Sequence, residues 1–143
     1  MFSKTCQYAI RACIYIAHQS MEGKRVSLEM VSGKIESPEA FTAKILQKLV
    51  KNKIINSVKG PGGGFEVDLQ GMSGTSLKSI VEAIDGNILG QCSLGLNECS
   101  DIQPCPFHKI YKPVKEKMIG IYEKTALFDL ATAFSEGETF LKL

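Results

Sequence analysis

Three of the five cysteines of this chain stand within fourteen residues, Cys92, Cys99 and Cys105 in a C-x6-C-x5-C spacing, and His108 follows the last of them with two residues between. Thiolates and imidazole are the soft and borderline donors that hold zinc or iron–sulfur clusters. Gly95, Asn97, Ser100, Asp101, Pro104 and Pro106 mark the stretch as loop, so the side chains can converge without a helix dictating their directions. Buried thiols are common core filler, but a polar, turn-rich loop offers them little apolar core. The spacing therefore points to a metal or cluster site and leaves the metal open.

The chain around this loop is of ordinary globular balance, 143 residues with 44% hydrophobic and 22% charged, one domain or a small domain with an appended dimerisation element. No apolar run approaches a membrane span, and residues 1–4 lead straight into a helical pattern, so no membrane role is expected. An odd number of cysteines without an export signal predicts a reducing, cytoplasmic setting and argues against a disulfide framework. The net charge of +2 is unevenly divided: residues 1–70 hold ten Lys and Arg against six Asp and Glu, residues 71–143 seven against nine. A basic half joined to a slightly acidic one suits a nucleic-acid reader coupled to something else.

The elements that must carry these residues can be placed from periodicity. Thr5 to about Gln19 reads as a helix with Ile10, Cys13, Ile14 and Ala17 on its apolar face, and Cys6 and Cys13 as core thiols on that face. Ser27 caps a short helix from Leu28 to about Gly33. After a turn at 34–36, Ser37 as cap, Pro38 at the first position and Glu39 in the first turn start a helix to about Asn52. Its buried stripe is Phe41, Ile45, Leu46 and Leu49; its other face shows Ala40, Ala43, Lys44, Gln47, Lys48 and Lys51. Two helices joined tightly, the second long and basic, form a helix-turn-helix, whose second helix enters the DNA major groove.

A strand over 54–59, a turn over 60–64 and a return strand over 65–69 follow. Gly60, Gly62 and Gly63 allow the close backbone approach of a hairpin tip to phosphates, and Lys59 stands at its base. No Gly-Lys-Ser/Thr follows the glycines, so this is not a nucleotide loop. Thr75 and Ser76 cap a helix from Leu77 to Ile84 that Asp85 and Gly86 stop, and residues 86–106 form the cysteine loop. Beyond it Ile110, Val114, Met118, Ile121 and Tyr122 trace one apolar face of a lysine-rich helix, starting near Lys112 or kinked at Pro113. That stripe lies far along the chain from the helix-turn-helix core and is expected to pack on a twin in a homodimer.

Residues 57–65, Ser-Val-Lys-Gly-Pro-Gly-Gly-Gly-Phe, resemble the wing signature of the Rrf-two family of bacterial winged-helix transcription regulators. The resemblance runs from Tyr8 and Ala9 through the wing and the cysteine loop to residues 125–130. It implies a mainly α fold with a small β-hairpin: a winged helix-turn-helix DNA-binding domain over 1–72, then a cluster-binding loop (86–108) and a long C-terminal dimerisation helix within 73–143. It implies a homodimer on double-stranded operator DNA, with Ser37, Ala40, Ala43, Lys44, Lys48, Lys59, Gly60, Gly62 and Gly63 at the DNA. Cys92, Cys99 and Cys105 match the cluster cysteines, and His108 matches the fourth ligand of the IscR-type members. Other members take an acidic ligand from the first helix of the partner, where this chain has Gln7. The match therefore favours His108 and a 2Fe–2S cluster, with 4Fe–4S as the alternative. The first spacing is one residue longer than the family's usual x5. Where some relatives read bases with an acid and a Gln, this chain has Ala43 and Lys44.

The function expected is a DNA-binding transcription regulator that senses iron–sulfur status, redox or nitric oxide through the cluster. The alternative is a cluster-free winged-helix regulator that signals through thiol oxidation or a partner protein. An enzyme is not expected, since the chain has no Ser/His/Asp set, paired carboxylates at helical spacing or nucleotide loop.

Overall fold

Helix α1 (Lys4–Met21) runs through the middle of the molecule and contributes more buried core residues than any other described element. The computed structural model describes residues 2–135 and 140–141. After α1 come α2 (Leu28–Ile35), α3 (Glu39–Lys51), strands β1 (Asn56–Val58) and β2 (Gly64–Glu66), then α4 (Leu69–Gly74), α5 (Leu77–Asp85), α6 (His108–Lys124) and α7 (Leu127–Ser135). Of the unit expected over 73–143, residues 136–139 and 142–143 lie outside the described residues.

The sequence predicts one apolar face on α1, but the structure buries it nearly all round from Ala12 to Ala17. The reason is topological: α2, α3, α5, α7 and β2 all pack on it. Cys6 and Cys13 are fully buried there, as expected of core thiols. Arg11 does not open a polar face either, because its guanidinium lies over the Tyr8 ring at 4.6 Å and donates to the Leu141 carbonyl at 3.2 Å.

The capping serines do what their positions predict. Ser27 Oγ accepts from the Met30 amide at 3.2 Å and Ser76 Oγ from the Ser79 amide at 3.1 Å, each worth about 1 kcal/mol. Ser37 departs from expectation: α3 begins at Glu39 behind Pro38, with no side-chain cap. Ser37 Oγ instead meets Thr42 Oγ1 at 2.7 Å, and Thr42 Oγ1 bonds the Pro38 carbonyl at 2.9 Å. The helix α2 extends two residues further than its pattern suggests, because Ile35 is a fully buried core residue and the turn is made by Glu36 at φ 53°.

The hairpin is antiparallel, pairing Asn56 with Glu66, Ser57 with Phe65 and Val58 with Gly64. Both strands are shorter than predicted. Ile54 and Ile55 are buried core residues ahead of the ladder, and Asp68 caps α4 by accepting from the Gly71 amide. Helix α4, six residues long, carries too short a periodic signal to be read from sequence, whereas α7 places Leu127, Leu130, Ala131 and Phe134 at helical spacing, a signal that sequence reasoning passed over. Val26, just before α2, pairs with Phe65 through both backbone bonds, at 3.1 and 2.8 Å, so the wing is tied to the helical body. The helix α6 starts at His108, earlier than the Pro113 argument suggests. Its first turn closes with the Tyr111 amide on the Phe107 carbonyl at 3.0 Å, and the helix continues through Pro113. Among the described residues no helix is long and apolar enough to cross a membrane.

Candidate metal centre and nucleic-acid interface

The helix α5 ends at Gly86, whose φ of 69° turns the chain into the cysteine loop, and the loop ends where α6 begins. Of the four expected donors, the structure brings Cys99 and His108 into contact. Cys105 stands on the Cys92 side, near enough to favour its thiolate. Cys99 Sγ lies 3.4 Å from His108 Nδ1. Among the described residues, no three His, Cys, Asp or Glu side chains are arranged as a preformed metal group.

Cys92 is buried in surroundings that favour its thiolate. The Leu94 amide points at its sulfur (3.5 Å) and does most to hold the thiol below its ordinary range. Burial opposes this, and the Leu96 amide, Cys105 and the Lys115 charge reinforce it. Lys115 is a residue the sequence offers no reason to single out: it is only 8% exposed, with its ammonium donating to the Gln91 carbonyl at 2.6 Å. Beside it a cavity of about 320 Å³ is lined by Ile88, Leu89, Cys92, Tyr111 and Met118.

His108, 6% exposed, is held on its other side. Nε2 lies 2.8 Å from Asp101 Oδ1, and Lys112, one turn along α6, reaches both oxygens of Asp101 at 2.8 and 2.6 Å. Lys112 first, then His108, holds the Asp101 carboxyl below the usual carboxylate range. In the sequence Asp101 is only a turn residue, because nothing in the spacing shows that it folds back onto α6.

The donor set fits a metal or cluster site in its chemistry: three thiols, one stabilised as thiolate, and an imidazole whose remote nitrogen is already engaged. Cys6 and Cys13 do not belong to it. Burial pushes Cys6 up to about 12 and raises Cys13 further.

The helix α3 presents Ala40, Lys44 and Gln47 to solvent, with Ser37 and Ala43 half-buried. Lys48 is engaged elsewhere, its ammonium donating to the Ile84 carbonyl of α5 at 2.9 Å. At the wing tip Gly60 and Gly62 have φ of 88° and 73°, which non-glycine residues rarely adopt, and Lys59 is exposed at its base. A Cβ on Gly63 would run into the Val58 carbonyl. Arg25, which sequence reasoning passed over, braces the wing by bonding Glu66 at 2.8 Å and the Gly62 carbonyl at 3.3 Å.

The α6 stripe divides. Ile110, Val114 and Ile121 are 71%, 52% and 53% exposed, a run of large apolar side chains facing solvent. Met118 instead lines the cavity beside Cys92, and Tyr122 packs on Phe2 with ring centroids 5.3 Å apart.

Residues 2–133 match the model of the Rrf2 family, described as iron-dependent transcriptional regulator. The chain is 29% identical over 133 residues to a candidate HTH-type transcriptional regulator of Aquifex aeolicus (strain VF5), covering 91% of this chain and 90% of that one. Its fold is similar to that of CymR, the global cysteine regulator of B. subtilis, with a TM-score of 0.76 at 16% identity, covering 92% and 96% of the two chains. It is likewise similar to IscR of T. potens, with a TM-score of 0.73 at 16% identity, covering 97% and 91%.

Proposed function

The chain belongs to the Rrf2 family of transcriptional regulators, and we propose that it is a homodimeric DNA-binding member that senses iron–sulfur status, redox or nitric oxide through a cluster on its cysteine loop. Members of this family are regulators rather than enzymes. One observation carries the reading: Cys92, Cys99 and Cys105 lie on one loop, and His108, the first residue of α6, turns its Nδ1 to the Cys99 sulfur at 3.4 Å. Three thiolates and an imidazole suit a 2Fe–2S cluster, with 4Fe–4S as the alternative. When bound, such a cluster supplies a group whose oxidation, nitrosylation or loss changes the order of the loop.

What the chain itself contributes is the connection from loop to DNA. The loop leaves α5 at Gly86; the residue before it, Asp85, bonds the backbone and hydroxyl of Ser3 at the start of α1. One further back, Ile84 accepts from Lys48 on α3. The end of α5 is thus tied to the start of the central helix α1 and to α3, the helix offered to DNA. Lys44 and Gln47 on α3 are offered to base edges or phosphates, and Lys59 with the glycine tip to the backbone. The exposed Ile110, Val114 and Ile121 suit burial against the same helix of a second copy, which would place two α3 helices on successive half-sites.

The test is anaerobic purification with iron and sulfide analysis and an ultraviolet–visible spectrum, followed by operator binding of the same sample before and after chelation. Charge-transfer bands and a changed affinity are expected. A colourless, iron-free protein that binds operator equally in both conditions would overturn the cluster reading.

A second reading is favoured by Cys92, whose thiol is held toward thiolate chiefly by the Leu94 amide. A thiol held toward thiolate, with further thiols on the same loop, suits oxidation to a disulfide, so a cluster-free regulator signalling through thiols is the alternative. A peroxide-treated sample that loses two free thiols and its operator affinity together would favour it.

A further inference from the structure

We propose that Asp101 is a positioning residue that fixes the tautomer and orientation of His108, so that Nδ1 rather than Nε2 is the nitrogen presented to a metal or cluster. The proposal rests on the reading of His108 as a ligand, and it goes beyond that reading by naming which nitrogen ligates and what holds it.

The geometry runs through three residues. His108 Nε2 is 2.8 Å from Asp101 Oδ1, while Nδ1 faces the sulfur of Cys99 at 3.4 Å. A carboxylate only accepts, so the proton shared between Asp101 and Nε2 belongs to the ring nitrogen. In the neutral imidazole Nδ1 then carries the lone pair and points at the neighbouring candidate ligand, with the Cys99 thiol as donor. The ring has little freedom to choose otherwise, being 6% exposed at the first position of α6.

Lys112 makes the arrangement a clamp. It lies four residues along from His108, so both project from the same side of α6. Its ammonium holds both Asp101 oxygens, at 2.8 and 2.6 Å, so Asp101 is gripped from two positions on one helix turn. A loop carboxylate is thereby docked onto α6, and it aims the imidazole back at the loop. Carboxylates in this relation to ligating histidines are worth roughly 10–100-fold in metal affinity.

The test uses the full-length apo protein. A long-range ¹H–¹⁵N correlation spectrum at pH 8 reads the tautomer directly, and His18→Gln assigns the signals, since the chain has only two histidines. Wild-type His108 is expected in the Nε2–H form, and Asp101→Ala should give a tautomer mixture. Anaerobic Co²⁺ titration of the apo protein gives the second readout, with Asp101→Ala weakening Co²⁺ binding about 10–100-fold. Lys112→Met should weaken it less, because Asp101 keeps its bond to Nε2. An Asp101→Ala spectrum that retains a pure Nε2–H tautomer, or unchanged Co²⁺ affinity in that variant, overturns the positioning role alone. If His108→Ala binds Co²⁺ as tightly as the wild type, the assignment of His108 as a ligand falls, and the role of Asp101 with it.

Discussion

The ammonium of Lys48 donates to the main-chain carbonyl of Ile84 at 2.9 Å, tying the basic helix α3 to the last turn of α5, two residues before the cysteine loop departs at Gly86. A lysine expected on the DNA side is thus turned toward the element that connects to the candidate sensor. Helix C-termini attract cations, so the contact also complements the α5 dipole.

Lys48→Met should therefore act on coupling more than on phosphate contact. The ratio of operator affinities with and without cluster, typically 5–150-fold for coupled sites, should shrink toward one, while the salt slope stays as in wild type. Fluorescence anisotropy at several salt concentrations measures both. A slope reduced by about one counterion, with the ratio intact, would instead place Lys48 on a phosphate in the complex.

Lys59 is exposed at the base of the wing. Lys59→Ala should weaken binding to operator and random duplex alike and flatten the salt dependence by about one counterion. Lys44→Ala should shift sequence preference if that side chain meets a base edge. Unchanged affinity and slope in Lys59→Ala would remove the wing from the DNA interface.

The exposed half of the α6 stripe predicts the dimer seam more narrowly than the sequence does. Val114→Glu or Ile121→Glu should give monomers in sedimentation, since a charge buried between subunits costs several kcal/mol. Met118→Ala should leave the dimer intact and alter the cavity beside Cys92 instead. A Val114→Glu protein that sediments as a dimer would move the interface elsewhere.

Thiol chemistry should separate the five cysteines of the apo protein. Cys6, pushed up to about 12, and Cys13, raised further by full burial, should resist alkylation throughout the native pH range. Cys92 is lowered, so as pH rises it should reach its thiolate, and its alkylation plateau, earlier than an ordinary thiol. Lys115→Met should move that midpoint upward, by less than the loss of the amide bonds would, because the Leu94 amide is the larger cause. Mass-resolved alkylation against pH reads all five sites.

Much of this architecture was legible because local signals agreed with it. The Ser27 and Ser76 caps, the stripe of Ile45, Leu46 and Leu49, and the glycine-rich hairpin tip each follow from residue chemistry over a few positions. Local pattern failed where tertiary packing decides. The helix α1 is buried nearly all round because five elements surround it, and Ile54 and Ile55 serve the core rather than the ladder. In the loop, the spacing of Cys92, Cys99, Cys105 and His108 was visible, but the groups that condition them were not. Lys115 and Asp101 reach the site only when α6 folds back along the loop, and no periodicity encodes that return.

The most direct test of the central claim is iron and sulfide retention across the cysteine variants, read by Mössbauer and ultraviolet–visible spectra of anaerobically prepared protein. Cys92→Ala, Cys99→Ala and Cys105→Ala should each lose the cluster yet remain folded dimers. His108→Ala should assemble one that is lost faster, and Cys6→Ala and Cys13→Ala should keep it. Retention in Cys99→Ala together with loss in Cys6→Ala or Cys13→Ala would contradict the account, because the loop would then not be the site.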